Sequence, residues 1–335
     1  MQKKADIARE YVRKFPDAPT LTLTKKCYKK HGALWASLES CRCTFRYVRG
    51  NMGKHKRSKV THAGYTDTMR PNGTAGTAFT AIPAGMTDII DFKPYIVDEP
   101  GRYLILSDIH IPYHDRDALI LALESVSDPA GIILNGDIMD HFALSQWDKD
   151  PRRKDFAAEL RTTRQILGII RDAFPAASIV YKMGNHEERY ERYMELKAPE
   201  LLDVAAFDLA AVLKLDELDI TLVRDKRPIK LGKLYILHGQ EYQRGFISPV
   251  NPARGLFLRA KENCLCGHSH QTSHHSENTL SDRHIACWST GCLCDLHPKY
   301  AVLNRWNLGF ATALIDKKGA FSINNQRIIG GQVWS

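Results

Sequence analysis

Five short apolar runs between Gly101 and His270 end in residues of one chemical kind, and this repetition constrains the fold more than any other feature of the 335-residue chain. Tyr103-Leu104-Ile105-Leu106 leads into Ser107-Asp108-Ile109-His110, and Gly131-Ile132-Ile133-Leu134 into Asn135-Gly136-Asp137-Ile138-Met139-Asp140-His141. Ser178-Ile179-Val180-Tyr181 precedes Gly184-Asn185-His186-Glu187, Leu234-Tyr235-Ile236-Leu237 precedes His238-Gly239, and Leu265-Cys266 precedes Gly267-His268-Ser269-His270. Runs without polar alternation are strands covered on both faces. Helical patterns at 118–127 and 156–174 separate them, which predicts an α/β fold with a largely parallel or mixed sheet flanked by helices. Beyond Asn278 the chain turns β-rich, at 283–289, 310–315 and 321–328.

In such folds ligands gather beyond the carboxyl ends of the strands. Singly, an Asp or His after a strand means little; five in order predict a metal site. Carboxylate, carboxamide and imidazole donors suit Mn²⁺ first, with Fe, Zn²⁺ and Ni²⁺ also compatible. Seven such residues are too many for one ion and right for two that share a carboxylate. Two divalent cations about 3.5–4 Å apart activate water against a phosphoryl group, so the implied reaction is phosphate-ester hydrolysis.

The ordered set D-x-H, G-D-x-x-D, G-N-H-E, H-G and G-H-x-H, from Asp108 to His270, resembles the calcineurin-like metallophosphoesterases, a superfamily that includes phosphatases, nucleotidases, cyclic-nucleotide phosphodiesterases and SbcD-type nucleases. The whole layout also resembles phage-type phosphoesterases with a small N-terminal domain. The resemblance implies a sandwich of mixed β-sheets flanked by helices. It places Asp108, His110 and His270 on one metal, Asn185, His238 and His268 on the other, and Asp137 between them. Extended backbone would point His268 and His270 to one side, each toward its own ion. His186 matches the non-ligand histidine that meets the scissile phosphate, with Asp140 orienting it, and Glu187 orients its own loop. Many relatives carry an Arg after G-D-x-x-D; here His141 stands there, which bears on substrate preference. His141 and His114 are candidate substrate contacts.

Eight cysteines without an export signal are expected as thiols. Cys264 and Cys266 read as strand packing, with a structural zinc shared with Cys292 and Cys294 as the alternative. His274, His275 and His284 read as solvent-facing loop residues. Trp288, Tyr300, Trp306 and Phe310 read as core, with a cleft wall as the alternative.

Charge is unevenly distributed: residues 1–70 hold 17 Lys/Arg against 5 Asp/Glu, and the remainder 30 against 33. That asymmetry predicts an anionic partner at the N-terminus, nucleic acid foremost. Helical patterns at 5–15, 22–30 and 37–49 form a small helix-turn-helix-like domain. The last carries an apolar stripe of Leu38, Cys41, Phe45 and Val48 and a basic face of Arg42, Arg46 and Arg49, followed by the tail Lys54, Lys56 and Arg57. The expected domains are a basic module at 1–64, a linker at 65–100 rich in Pro and Gly, and the phosphoesterase domain at 101–335. The charged start and the absence of a long apolar segment predict a cytoplasmic protein without membrane association. The function expected is a dinuclear phosphodiesterase or nuclease on DNA or RNA. A phosphomonoesterase on nucleotides or phosphoproteins, and a non-catalytic nucleic-acid-binding protein, are the alternatives.

Overall fold

The computed structural model describes residues 4–16, 18–49, 93–145, 155–242 and 250–335, and the chain divides into two compact units, Met1–Asp88 and Ile89–Ser335. In the first, helices α1 (Lys4–Lys14), α2 (Thr20–His31) and α3 (Leu38–Val48) close around Ile7, Val12, Leu23, Cys27, Cys41 and Phe45. Helix α3 begins where Ser37 Oγ accepts the Ser40 N–H at 3.1 Å, satisfying a donor the helix start leaves open. Its buried stripe is Cys41, Phe45 and Val48; Leu38, at the first helical position, stays exposed. Burying the Phe45 side chain contributes about 1.5–3 kcal/mol.

The second unit runs β1 (Tyr95–Val97), β2 (Gly101–Leu106), α4 (Arg116–Glu124), β3 (Gly131–Asn135), α5 (Phe156–Ala173), β4 (Ser178–Lys182), α6 (Glu187–Lys197), α7 (Leu209–Leu213) and β5 (Ile220–Val223). It continues through β6 (Ile229–Leu231), β7 (Leu234–Leu237), α8 (Pro252–Ala260), β8 (Cys264–Cys266), β9 (Ser273–Asn278), β10 (His284–Ser289), β11 (Gly309–Ile315), β12 (Phe321–Ile329) and β13 (Gln332–Trp334). One sheet has the order β13-β12-β11-β2-β3-β4-β5 and the other β1-β6-β7-β8-β10-β9. Both are mixed.

Strand parity distributes the core between layers. Tyr103, Ile105, Ile133 and Val180 face Ile236 and Leu265 of the other sheet. Their neighbours Leu104, Ile132 and Ile179 turn the other way, onto Leu119 of α4 and Leu167 and Ile170 of α5. Helix α8 covers the outer face of the second sheet, Leu256 packing with Cys264, Cys266 and Cys287. The result is the helix-flanked sandwich of mixed sheets that the resemblance implied. Strands β2, β3 and β4 are mutually parallel, as are β7 and β8, so their carboxyl ends share an edge within each sheet.

Two segments differ from expectation. Tyr95–Val97, inside the stretch read as a linker, pairs in parallel with β6, because three strong strand formers find an open sheet edge. Ser273–Asn278, read as loop, pairs antiparallel with β10 despite its polar sequence; His274 lies opposite Trp288 and His275 opposite Cys287.

Candidate metal centre

The carboxyl ends of β2, β3, β7 and β8 deliver their side chains to one buried cluster. Asp108, His110 and Asp137 offer donor atoms within 4.8 Å of one another, and so do Asp137, His238 and His268. Asp137 belongs to both groups. Its Oδ2 lies 3.2 Å from His238 Nε2 and 3.9 Å from His110 Nε2, a bridging position. Its Oδ1 accepts the His186 N–H at 2.8 Å, which fixes the carboxylate plane. His270 Nε2 is 3.1 Å from Asp108 Oδ1 and 3.3 Å from His110 Nε2, so two imidazole nitrogens face each other.

Three buried atoms of residues expected as ligands make no hydrogen bond: Asp108 Oδ1, Asn185 Oδ1 and His238 Nε2. Orphaned buried acceptors are costly unless something electropositive meets them. His238 Nδ1 donates to the Asn135 carbonyl at 2.7 Å, leaving Nε2 as a lone pair aimed inward. The donor set fits two divalent cations. Without cations the cluster satisfies itself with protons. Burial depresses His238 and His270, but the Asp137 and Asp108 carboxylates outweigh it and hold each imidazole at about 10. Cation binding therefore displaces protons.

Backbone geometry sets these positions. Asp108, His110, Asp137, His268 and His270 all have left-handed φ, between 51° and 65°. His268 and His270 thus reach the cluster through left-handed turns and not through the extended alternation expected of H-x-H. Gly136 (φ 82°) leaves room that a Cβ would take from the His238 ring.

His186 Nδ1 donates to the backbone carbonyl of Asp140 at 2.7 Å, while the Asp140 carboxylate lies 3.1 Å from His110 Nδ1. Asp140 therefore orients two histidines, one with its main chain and one with its side chain. Burial pushes His186 down to about 3, so the ring is neutral, with its Nε2 unprotonated. Glu187 reaches well past its own loop. Its carboxylate accepts from the N–H groups of Asp137 (3.0 Å), Ile138 (2.9 Å), Met139 (3.1 Å) and Gly184 (2.8 Å), and from the Tyr181 hydroxyl at 2.8 Å. Sequence reasoning missed Glu241, which accepts from His238 N at 2.9 Å and pairs with buried Lys182 at 2.9 Å, fixing the H-G turn.

It also missed Arg189. Its guanidinium lies 2.8 Å from His186 Nε2 and donates to the Asp140 carbonyl at 3.0 Å. His141, which stands in place of the expected Arg, is fully buried between Phe156 and Tyr190, each ring about 6.0 Å away, and does not reach the cluster. The signal was available: a guanidinium three residues after His186, in a helix starting at Glu187.

Beside the cluster opens a cleft of about 590 Å³ lined by Tyr113, Phe142, Lys299, Tyr300 and Trp306 and reaching His110 and Asp140. Tyr113 lines it and His114 does not; the His114 backbone pairs with that of Cys294. Trp306 and Tyr300 are wall residues, whereas Phe310 is core and Trp288 packs on Phe321. All eight cysteines are thiols. Cys264 and Cys266 are buried in the α8 interface, and among the described residues they join no group of three metal-binding side chains.

In the first unit, Arg46 is exposed and Arg42 pairs with Glu39 at 3.3 Å. Arg49 instead turns inward, donating to the Pro16 and Ala18 carbonyls at 3.1 and 2.7 Å and to Thr20 Oγ1 at 3.2 Å; it staples the α1–α2 connection and leaves the basic face. Lys54, Lys56 and Arg57 lie outside the described residues. A cleft of about 630 Å³ gathers Lys14, Lys26, Lys29 and Lys30 around Tyr11 and Phe15. Among the described residues no helix is long and apolar enough to cross a membrane.

Residues 101–288 match the family model described as calcineurin-like phosphoesterase. Among solved structures, vacuolar protein sorting 29 from Cryptosporidium parvum aligns at 13% identity and a TM-score of 0.38, over 70% of this chain and 95% of that one. A predicted phosphoesterase from Streptococcus pneumoniae TIGR4 aligns at 13% and 0.28, over 66% and 86%. The cold-active protein-tyrosine phosphatase of a psychrophilic Shewanella species aligns at 12% and 0.29, over 70% and 82%. No curated protein matches the chain.

Proposed function

Because the chain belongs to the calcineurin-like phosphoesterase family, we propose that it is a dinuclear phosphodiesterase that cuts nucleic acid. The observation that carries the reading is the shared position of Asp137 between two ligand groups. Asp108, His110 and His270 would hold one cation, Asn185, His238 and His268 the other, with Mn²⁺ the first candidate by donor type. Two bound cations supply an activated water and offset charge on the phosphoryl oxygens. The protein's own groups do the rest. Arg189 offers a guanidinium fork to the phosphoryl oxygens, replacing the Arg absent at His141. His186, set beside it and steadied by the Asp140 carbonyl, protonates the departing oxygen; burial makes its protonated form a strong acid, and the phosphoryl anion stabilises that form when substrate is present. The basic first unit supports a polyanionic substrate over a small ester.

Hydrolysis of bis-p-nitrophenyl phosphate, p-nitrophenyl phosphate and labelled DNA with Mn²⁺ tests this. Diester and DNA cleavage should exceed monoester cleavage, and His186→Ala should lower turnover by about 10²–10⁴-fold. A monoester preference moves the substrate to nucleotides or phosphoproteins. No turnover with any divalent metal would leave a non-catalytic nucleic-acid-binding protein.

A further inference from the structure

The cleft beside the metal ligands is unusual in what it leaves uncovered. Trp306 lies over His270, ring centroids 4.1 Å apart, and Tyr300 meets Trp306 edge-on at 6.2 Å. Tyr300 is nonetheless 72% exposed, and its neighbour Leu303 98%. The loop that holds them is a built one. Asn304 Nδ2 donates to the Leu296 and Ala301 carbonyls at 2.6 Å each, and His297 Nδ1 lies 3.1 Å from the Val302 carbonyl. It lies beyond residue 288, where the family match ends. A fixed loop that keeps an aromatic face in water at the mouth of a catalytic cleft gains nothing for folding. Lys299, in the same wall as Asp295, adds a cation that can face a neighbouring phosphate.

We propose that Tyr300 and Trp306 stack a nucleobase carried by the scissile phosphodiester, and that the preferred substrate is therefore single-stranded nucleic acid. The inference rests on the phosphodiesterase reading and narrows it. Every base has a π-face, and stacking on aromatic side chains is the sequence-tolerant way to hold a single strand. In a duplex those faces are already occupied by neighbouring bases, so the wall has nothing to grip until a nucleotide leaves the stack.

Two esters with the same leaving group isolate the effect: thymidine 5′-(p-nitrophenyl phosphate) and methyl p-nitrophenyl phosphate, each with the Mn²⁺-loaded full chain. The nucleoside ester should show a kcat/KM about tenfold or more above the methyl ester. Tyr300→Ala should collapse that ratio toward one, and Tyr300→Phe should restore it. A single-stranded oligonucleotide should be cut faster than its duplex and should outcompete thymidine monophosphate for the cleft. Equal rates on the two esters, or a duplex cut as fast as the single strand, overturn the proposal while leaving the hydrolytic chemistry intact. Binding gives an independent reading. In Mn²⁺-loaded His186→Ala protein, oligothymidylate should quench a tryptophan signal that the added Trp306→Phe change removes. That quench, found while the unsubstituted Mn²⁺-loaded chain hydrolyses no ester, would uphold the wall and sink the phosphodiesterase; its absence counts against the wall.

Discussion

Arg189 sits one helical turn beyond His186, close enough for both to meet a single phosphoryl group. A charged hydrogen bond of this kind contributes about 1.5–3 kcal/mol, so Arg189→Ala should lower kcat/KM for bis-p-nitrophenyl phosphate by about ten- to a hundredfold. Arg189→Lys should recover only part, since an ammonium cannot form the bidentate fork. Unchanged kcat/KM in Arg189→Ala would remove it from the phosphate. His141 carries a different prediction. Burial pushes its imidazole down to about 4, and neither ring nitrogen has a hydrogen-bond partner. A depressed histidine favours the folded state fully above its unfolded value near 6.5, and that contribution drains away as pH falls from about 6.5 to 4. His141→Phe keeps the packing against Phe156 and Tyr190 and removes the titration. The stability gap between variant and wild type, followed by urea midpoints, should therefore widen in the variant's favour from pH 7 to pH 4. A constant gap across that range contradicts the assignment.

At the scale of elements, Glu187 ties two loops into one rigid floor, because the first residue of α6 accepts three consecutive N–H groups from the loop after β3. Glu187→Gln keeps the size but turns an NH₂ group toward some of those donors. Leaving buried donors unsatisfied costs about 1–3 kcal/mol each. The Tm should fall by roughly 4–8 °C for a loss of about 2 kcal/mol in a unit this large, and half-saturation should need more Mn²⁺. An unaltered Tm with unaltered metal dependence would show that the clasp is dispensable. Elements also mark what the sequence could convey. The ligand loops were legible because a strand covered on both faces is a continuous apolar run, and its ligands follow within a few residues. The strand β9 was not: Ser-His-His-Ser-Glu-Asn has no apolar period, and only its pairing with β10 makes it a strand. The reach of H-x-H was misread for a related reason, since left-handed φ at His268 and His270 is imposed by what the turn must touch and leaves no composition signal. Arg49 shows the same limit: a regular Arg spacing on α3 could not reveal that the last of them is taken up by the Pro16 and Ala18 carbonyls.

Across the whole molecule, charge and chemistry occupy different units. Residues 1–88 hold 17 Lys/Arg against 6 Asp/Glu, while residues 89–335 hold 30 against 32 and contain every expected metal ligand. A near-neutral catalytic unit has little reason to concentrate a polyanion on its own, whereas the first unit, with Lys29 and Lys30 in its lysine-lined cleft, does. Removing residues 1–88 should therefore leave the turnover of bis-p-nitrophenyl phosphate close to that of the full chain, while KM for DNA rises. Each lysine that neutralises a phosphate on a single strand steepens the plot of log affinity against log salt by about 0.7. Replacing Lys29 and Lys30 together with Gln should therefore flatten that slope by about 1.4. Measuring DNA affinity from low to moderate salt for the full chain, the double variant and residues 89–335 decides the matter. If all three show the same slope, the polyanion is held by the catalytic unit alone and the basic helices serve another partner. If the slope falls stepwise through the series, the first unit supplies the grip that a small phosphodiester does not need.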